Sequence, residues 1–147
     1  MSDGGHVSRT ARLLVGVTLL TVPTIVYGGL TVLGLLTGGA AGLAPSGVTL
    51  TSEQYALYRA GHAHAGVLVL FSVVLQLVAD HAVVPPRLLL AARIAAPAAA
   101  IFLPGGFFGL AHVDALRVLV YVGALLISFA TLTIGIGLIR AKHDPSP

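Results

Sequence analysis

Nine residues, Tyr58-Arg59-Ala60-Gly61-His62-Ala63-His64-Ala65-Gly66, hold the densest reactive chemistry in the chain. Two imidazoles, a guanidinium and a phenol sit near the start of a long apolar stretch. An ionisable side chain at the centre of a membrane-spanning helix costs about 3 kcal/mol on insertion scales, so such groups are expected where they bind or react. Imidazole nitrogens ligate transition metals, and guanidinium pairs well with carboxylates.

In a helix His62 and His64 project about 200° apart, so they cannot close on one metal unless the helix breaks. Each belongs to its own stripe. The His62 stripe is Tyr55, Arg59, His62, Gly66, Val69, Val73, Gln76 and Asp80, five of which carry hydrogen-bonding side chains, and it is expected to face the chain's own bundle. The His64 stripe is Leu57, Gly61, His64, Leu68, Phe71, Leu75 and Val78, apolar apart from the histidine. A second protomer or a cofactor is expected to cover it.

Three uses of the pair follow. In the first, both histidines are structural and hydrogen-bond to a neighbouring helix. In the second, one or both hold Zn or Cu, with His112 and Asp114 within reach on the outer loop. In the third, one is the axial ligand of a heme. The remaining histidines, His6, His81, His112 and His143, fall in tails or turns, and the single methionine is Met1. A six-coordinate heme needs two ligands on opposing helices, so one chain supplies a single axial histidine and an open iron position. Such an iron binds a small molecule or acts as a Lewis acid on an oxygen atom. Spacing alone leaves His62 and His64 both open as the ligand.

The elements that must position these groups are membrane spans. Of 147 residues 56% are hydrophobic and 9% charged, far below the quarter or so of a soluble domain. The composition indicates a single all-α domain, an integral membrane four-helix bundle. The chain lacks cysteine, which excludes disulfides, thiolate catalysis, iron–sulfur ligation and Cys-type zinc sites. A net charge of +3 without a basic, aromatic-interleaved cluster gives no reason to expect nucleic acid.

Spans are expected at about 13–36, 54–80, 88–103 and 115–139. Met1 to Thr10 read as a disordered leader; the first apolar run is too long for a signal-peptide core and is expected to be retained. Pro23 kinks the first span, with Thr21 and Thr24 satisfying the freed backbone. Tyr27, one turn further on, is expected to line the bundle or pack as an aromatic. Gly38 to Thr49 form a loop, and Thr51-Ser52-Glu53-Gln54 fit a capping box. Pro85-Pro86 turn the chain into an alanine-rich third span interrupted by Pro97 and stopped by Pro104-Gly105-Gly106, with Phe107-Phe108 as an interfacial anchor. Gly123, Gly135 and Gly137 offer close-packing points on the fourth span. Arg9, Arg12, Arg87, Arg93, Arg140 and Lys142 lie at one membrane face and only Arg59 and Arg117 at the other, which puts both termini in the cytoplasm. A multi-pass protein of the bacterial inner (cytoplasmic) membrane is the expected setting.

Four short spans, a Gly/Pro-containing outer loop, Arg59 and then Ala63-His64-Ala65-Gly66 in the second span resemble the styrene oxide isomerases, with a further echo in Arg87-Leu88-Leu89. The resemblance covers the architecture and is confined at residue level to these positions. It implies a trimer with heme b at the protomer interface, held by His64, or by His62 if the register slips by two. It also implies a ferric iron that binds an epoxide oxygen and promotes a 1,2-shift to an aldehyde. Arg59 would pair with a heme propionate, and its alternative is an interfacial arginine reaching lipid headgroups. The family's asparagine two turns past the ligand is Leu70 here. Its polar residues along the third span have no counterpart beyond Arg93, where this chain has Pro97, Ile101 and Phe102. Tyr58 and Tyr27, with Tyr121 and Gln76, are the substitutes available for catalysis.

The expected function is thus heme-dependent isomerisation of a small apolar epoxide. A non-catalytic heme sensor or carrier is one alternative. A transition-metal or proton-handling protein using His62, Arg59, Gln76 and Asp80 is the other.

Overall fold

The computed structural model describes residues 7–43 and 47–141. The expected leader before Val7, the loop residue Pro45, and Lys142 and His143 lie outside them. Among the described residues all regular structure is helical: α1 (Arg9–Leu19), α2 (Val22–Leu36), α3 (Ser52–Val78), α4 (Pro86–Leu110) and α5 (Arg117–Ala141), with single 3-10 turns at Ala79–His81 and Asp114–Leu116. Four segments, Arg9–Leu36, Ser52–His81, Pro86–Leu110 and Asp114–Ala141, are long and apolar enough to cross a membrane. This is the architecture of a multi-pass membrane protein.

The first segment is two helices rather than one kinked helix. Pro23 has no N–H for the carbonyl four residues back and its ring crowds that carbonyl, so α1 stops at Leu19. The Thr21 hydroxyl donates to the Thr18 carbonyl (2.7 Å) and the Thr24 hydroxyl to that of Thr21 (2.6 Å), so both back-bond within their own turns and neither reaches the Leu19 carbonyl that Pro23 frees. Order also begins earlier than the composition suggests. Ser8 caps α1 by accepting from the Ala11 N–H at 3.1 Å, so Arg9 and Thr10 are helical rather than leader. Tyr27 neither lines the bundle nor packs: it is 62% exposed on the outer side of α2.

The capping box of α3 forms as expected, Thr51 accepting from the Gln54 N–H and the Gln54 side chain accepting from the Thr51 N–H. The buried line of α3, however, is not the His62 stripe. It runs through Gly61, Ala65, Leu68, Ser72, Leu75 and Ala79, taking Gly61, Leu68 and Leu75 from the inner edge of the His64 stripe. α3 is gripped on both flanks, by α4 on one side and by α1 and α2 on the other, so the most buried positions lie midway. Of the His62 stripe, Val69 and Gln76 are buried, His62 is half-buried and Arg59 is exposed.

The third span does not end at Leu103. α4 continues through Pro97 and Pro104 to Leu110. The carbonyl that Pro97 leaves without its helical donor is that of Arg93, and the Gln76 side chain donates to it at 2.7 Å. Gly106 serves as a contact point rather than a stop, since a Cβ there would lie 2.6 Å from the Val120 nitrogen. Gly123 returns the contact, with the Leu103 nitrogen 2.6 Å from its hypothetical Cβ. Gly137 likewise meets the Ala82–Val84 turn, whereas Gly135 faces open space and packs against nothing. The core is built from Leu75 of α3 and Ala79 of the turn that follows it, Ala92, Ala95 and Ala96 of α4, and Ala130 and Ile134 of α5. Alanines let three helix axes approach closely. Leucines such as Leu70 and Leu125 point outward, as a lipid solvent requires.

Candidate functional site

His64 stands at the edge of the α3–α4 seam. Its Nδ1 lies 2.7 Å from the Ala60 carbonyl one turn back. A carbonyl oxygen only accepts, so this bond assigns the hydrogen to Nδ1 and leaves the Nε2 lone pair of the neutral ring free. The Phe107 ring lies against the imidazole, centroids 5.0 Å apart. The side chain is exposed on the bundle's exterior, beside Val67 and Phe71. An oriented imidazole with an outward lone pair and a backbone-bound second nitrogen is the arrangement of a metal-ligating histidine.

His62 occupies the other flank. Its ring fills the space over Gly29 of α2, where a Cβ would come within 2.7 Å of Cε1 and 2.9 Å of Nε2. It makes no hydrogen bond among the described residues, and packing alone holds it. The two imidazoles therefore face different helices and do not form a joint metal site. Among the described residues no cluster of three or more His, Asp or Glu side chains is close enough to hold a metal ion. A closed zinc or copper centre needs three or four ligands. A heme would need at least one imidazole, and His64 is an exposed one with a ring nitrogen unpaired among the described residues.

Tyr58 turns inward at the outer end of α3. Its hydroxyl bonds His112 Nε2 at 2.9 Å, and its ring meets Phe108 edge-on at 5.4 Å between centroids. His112 is thus fixed by Tyr58 rather than free to reach a metal. Phe107 and Phe108, expected as an interfacial anchor, are half-buried against α3. Phe108 packs over Gly61, where a Cβ would meet its ring at 3.1 Å, and Phe107 covers His64. Arg59 is exposed, and neither it nor the Tyr27 hydroxyl has a hydrogen-bond or ion-pair partner among the described residues.

At the opposite end of the bundle Arg93, its side chain 5% exposed, forms a salt bridge to Asp80. It also donates to the Gln76 backbone carbonyl at 3.1 Å. The second Asp80 oxygen accepts from the Ser8 N–H at 2.9 Å, tying the start of α1 to the end of α3. Gln76 and Asp80, one turn apart on the His62 stripe, are thus held by a single arginine from α4. Sequence reasoning assigned Arg93 to the basic flank of the membrane and missed this pairing. The available signal was that Arg93 is the sole charge within the third span after its opening Arg87.

The fold is that of a multi-pass helical membrane protein, and its exposed His64 has one ring nitrogen bonded to the backbone and the other unpaired among the described residues. No family model, curated protein or solved structure matches the chain, so the residues themselves carry the functional reading.

Proposed function

We propose that this chain is a heme b-binding membrane protein, with His64 as the axial ligand, that isomerises a small apolar epoxide to an aldehyde. The observation that carries the reading is the Nδ1 bond from the exposed His64 to the Ala60 carbonyl, which leaves Nε2 without a hydrogen-bond partner among the described residues. The resemblance to styrene oxide isomerases adds the substrate class, the heme and a homotrimer in which a neighbouring copy covers the exposed His64 face. When bound, the heme would supply Lewis acidity toward an epoxide oxygen. The chain's own residues do the rest. The Ala60 carbonyl fixes the ring orientation and raises its basicity as a ligand. Phe107, Phe71 and Val67 offer apolar surface around His64, and a neighbouring copy covering it would exclude the water that otherwise converts an opened epoxide to a diol. Arg59 is the cation available to a propionate, and Tyr58 and Tyr27 are the phenols available to a substrate oxygen. The arginine distribution puts both termini in the cytoplasm, in the setting of a bacterial inner membrane.

An absorption spectrum of the purified protein tests the reading. A Soret band is expected in wild type and in His62→Ala and is expected to vanish in His64→Ala. A band lost only in His62→Ala moves the ligand, and no band after heme supplementation ends the heme reading. A second reading, a non-catalytic heme sensor or carrier, is favoured by α4: Arg93, its polar side chain beyond Arg87, is already engaged by Asp80 and Gln76, so α4 offers nothing to orient a substrate. Reversible CO binding without epoxide turnover would select it.

A further inference from the structure

A groove of about 250 Å3 opens on the bundle's surface where the start of α4 meets the second half of α5. Val84 and Leu88 form one wall, and Phe129, Leu132 and Ile136 form the other. Arg140 ends the row on α5. These four α5 residues recur at spacings of three or four, so they make one stripe of the helix. From Phe129 to Arg140 the helix rises about 16 Å, which matches one leaflet of a ~30 Å hydrocarbon core. The groove is therefore apolar through one leaflet and cationic where it meets the headgroups. Arg140 is exposed and has no carboxylate partner among the described residues. Among those residues Asp80 is the carboxylate at this end of the bundle, and Arg93 and the Ser8 N–H already hold it.

We infer that this groove binds one anionic phospholipid, its phosphate on the Arg140 guanidinium and an acyl chain lying between the α5 stripe and Leu88. A guanidinium matches phosphate oxygens with parallel hydrogen bonds, and the apolar walls take the chain. A zwitterionic lipid offers the same chain but carries its own ammonium, which offsets the charge that Arg140 meets. A second copy of this chain could cover the walls, yet its described residues bring no unengaged carboxylate to Arg140 at this end. The groove shares no residue with the surround of His64, so the inference stands apart from the heme reading.

The test is native mass spectrometry of the full chain released from detergent micelles. Dioleoyl-phosphatidylglycerol is titrated in one series and dioleoyl-phosphatidylcholine, with the same chains, in the other. Wild type is expected to retain one phosphatidylglycerol about fivefold more tightly than phosphatidylcholine, the worth of one basic side chain near an anionic headgroup. Arg140→Gln is expected to bring phosphatidylglycerol down to the phosphatidylcholine level. Arg12→Gln removes an exposed cation outside the groove and is expected to leave the preference unchanged. Ile136→Trp fills the groove and is expected to weaken both lipids. Equal affinity of wild type for the two lipids, full phosphatidylglycerol affinity in Arg140→Gln, an equal loss in Arg12→Gln, or undiminished binding in Ile136→Trp would each overturn the assignment. Self-association that Ile136→Trp abolishes, without any lipid preference in wild type, would give the groove to a second copy instead. The comparison of the two lipids needs only the wild-type chain, so it decides the matter even if a variant folds poorly.

Discussion

His62 and His64 are two residues apart, yet different physics holds each. A backbone hydrogen bond orients His64, and the missing side chain at Gly29 makes room for His62. Gly29→Ala should therefore displace the His62 ring while leaving a His64-dependent Soret band in place, which absorption spectra of the variant would check. Arg93 is the charged residue buried in the bundle among the described residues. Arg93→Leu removes that buried charge and leaves the more exposed Asp80 with the Ser8 N–H, so it is expected to cost about 1–3 kcal/mol. Asp80→Asn keeps an acceptor for the Ser8 N–H but leaves the buried guanidinium without a counter-charge, so it should cost more, about 3–5 kcal/mol. Thermal unfolding in detergent would rank the two. If Asp80→Asn instead abolished activity at unchanged Tm, Asp80 would be a functional proton carrier rather than a clamp.

At the scale of elements, the seam between α4 and α5 is made by glycine. At Gly123 an alanine methyl would run into the backbone of Leu103. Alanine's higher helix propensity returns about 1 kcal/mol, but overpacking against a backbone that cannot rotate aside costs about 1–3 kcal/mol. Gly123→Ala should lower Tm. Gly135→Ala, on the same helix with nothing within contact range, should leave Tm unchanged or raise it slightly. Equal effects at the two positions would contradict the packing described. The same logic explains why α4 runs through Pro104 where turn-forming residues promise a stop. In an aqueous loop Pro-Gly-Gly ends a helix. In this bundle Gly106 permits close approach to α5, and the carbonyl freed by Pro97 finds its donor on α3.

At the scale of the whole molecule, hydrogen bonds from Ser8 to Asp80 and from the Val83 N–H to the Gly137 carbonyl gather the start of α1, the α3–α4 turn and the end of α5 at one end. Gln54 donating to the Ala111 carbonyl closes the other. Because the chain has no cysteine, single substitutions report cleanly. Arg87→Cys should react with a membrane-impermeant maleimide only after the cells are opened, and Ala40→Cys and Ala115→Cys in intact cells. The reverse pattern would invert the topology. Sequence alone determined the helical class, the four spans and the capping box on Thr51. Each of these depends on hydropathy summed along one segment or on contacts within one turn. Only the tertiary structure decided that His64 faces outward beside Phe107, that His62 nests on Gly29, and that Arg93 joins Gln76 to Asp80. Those outcomes depend on how helices rotate against one another, which in lipid is set by small-residue contacts between segments distant in the chain.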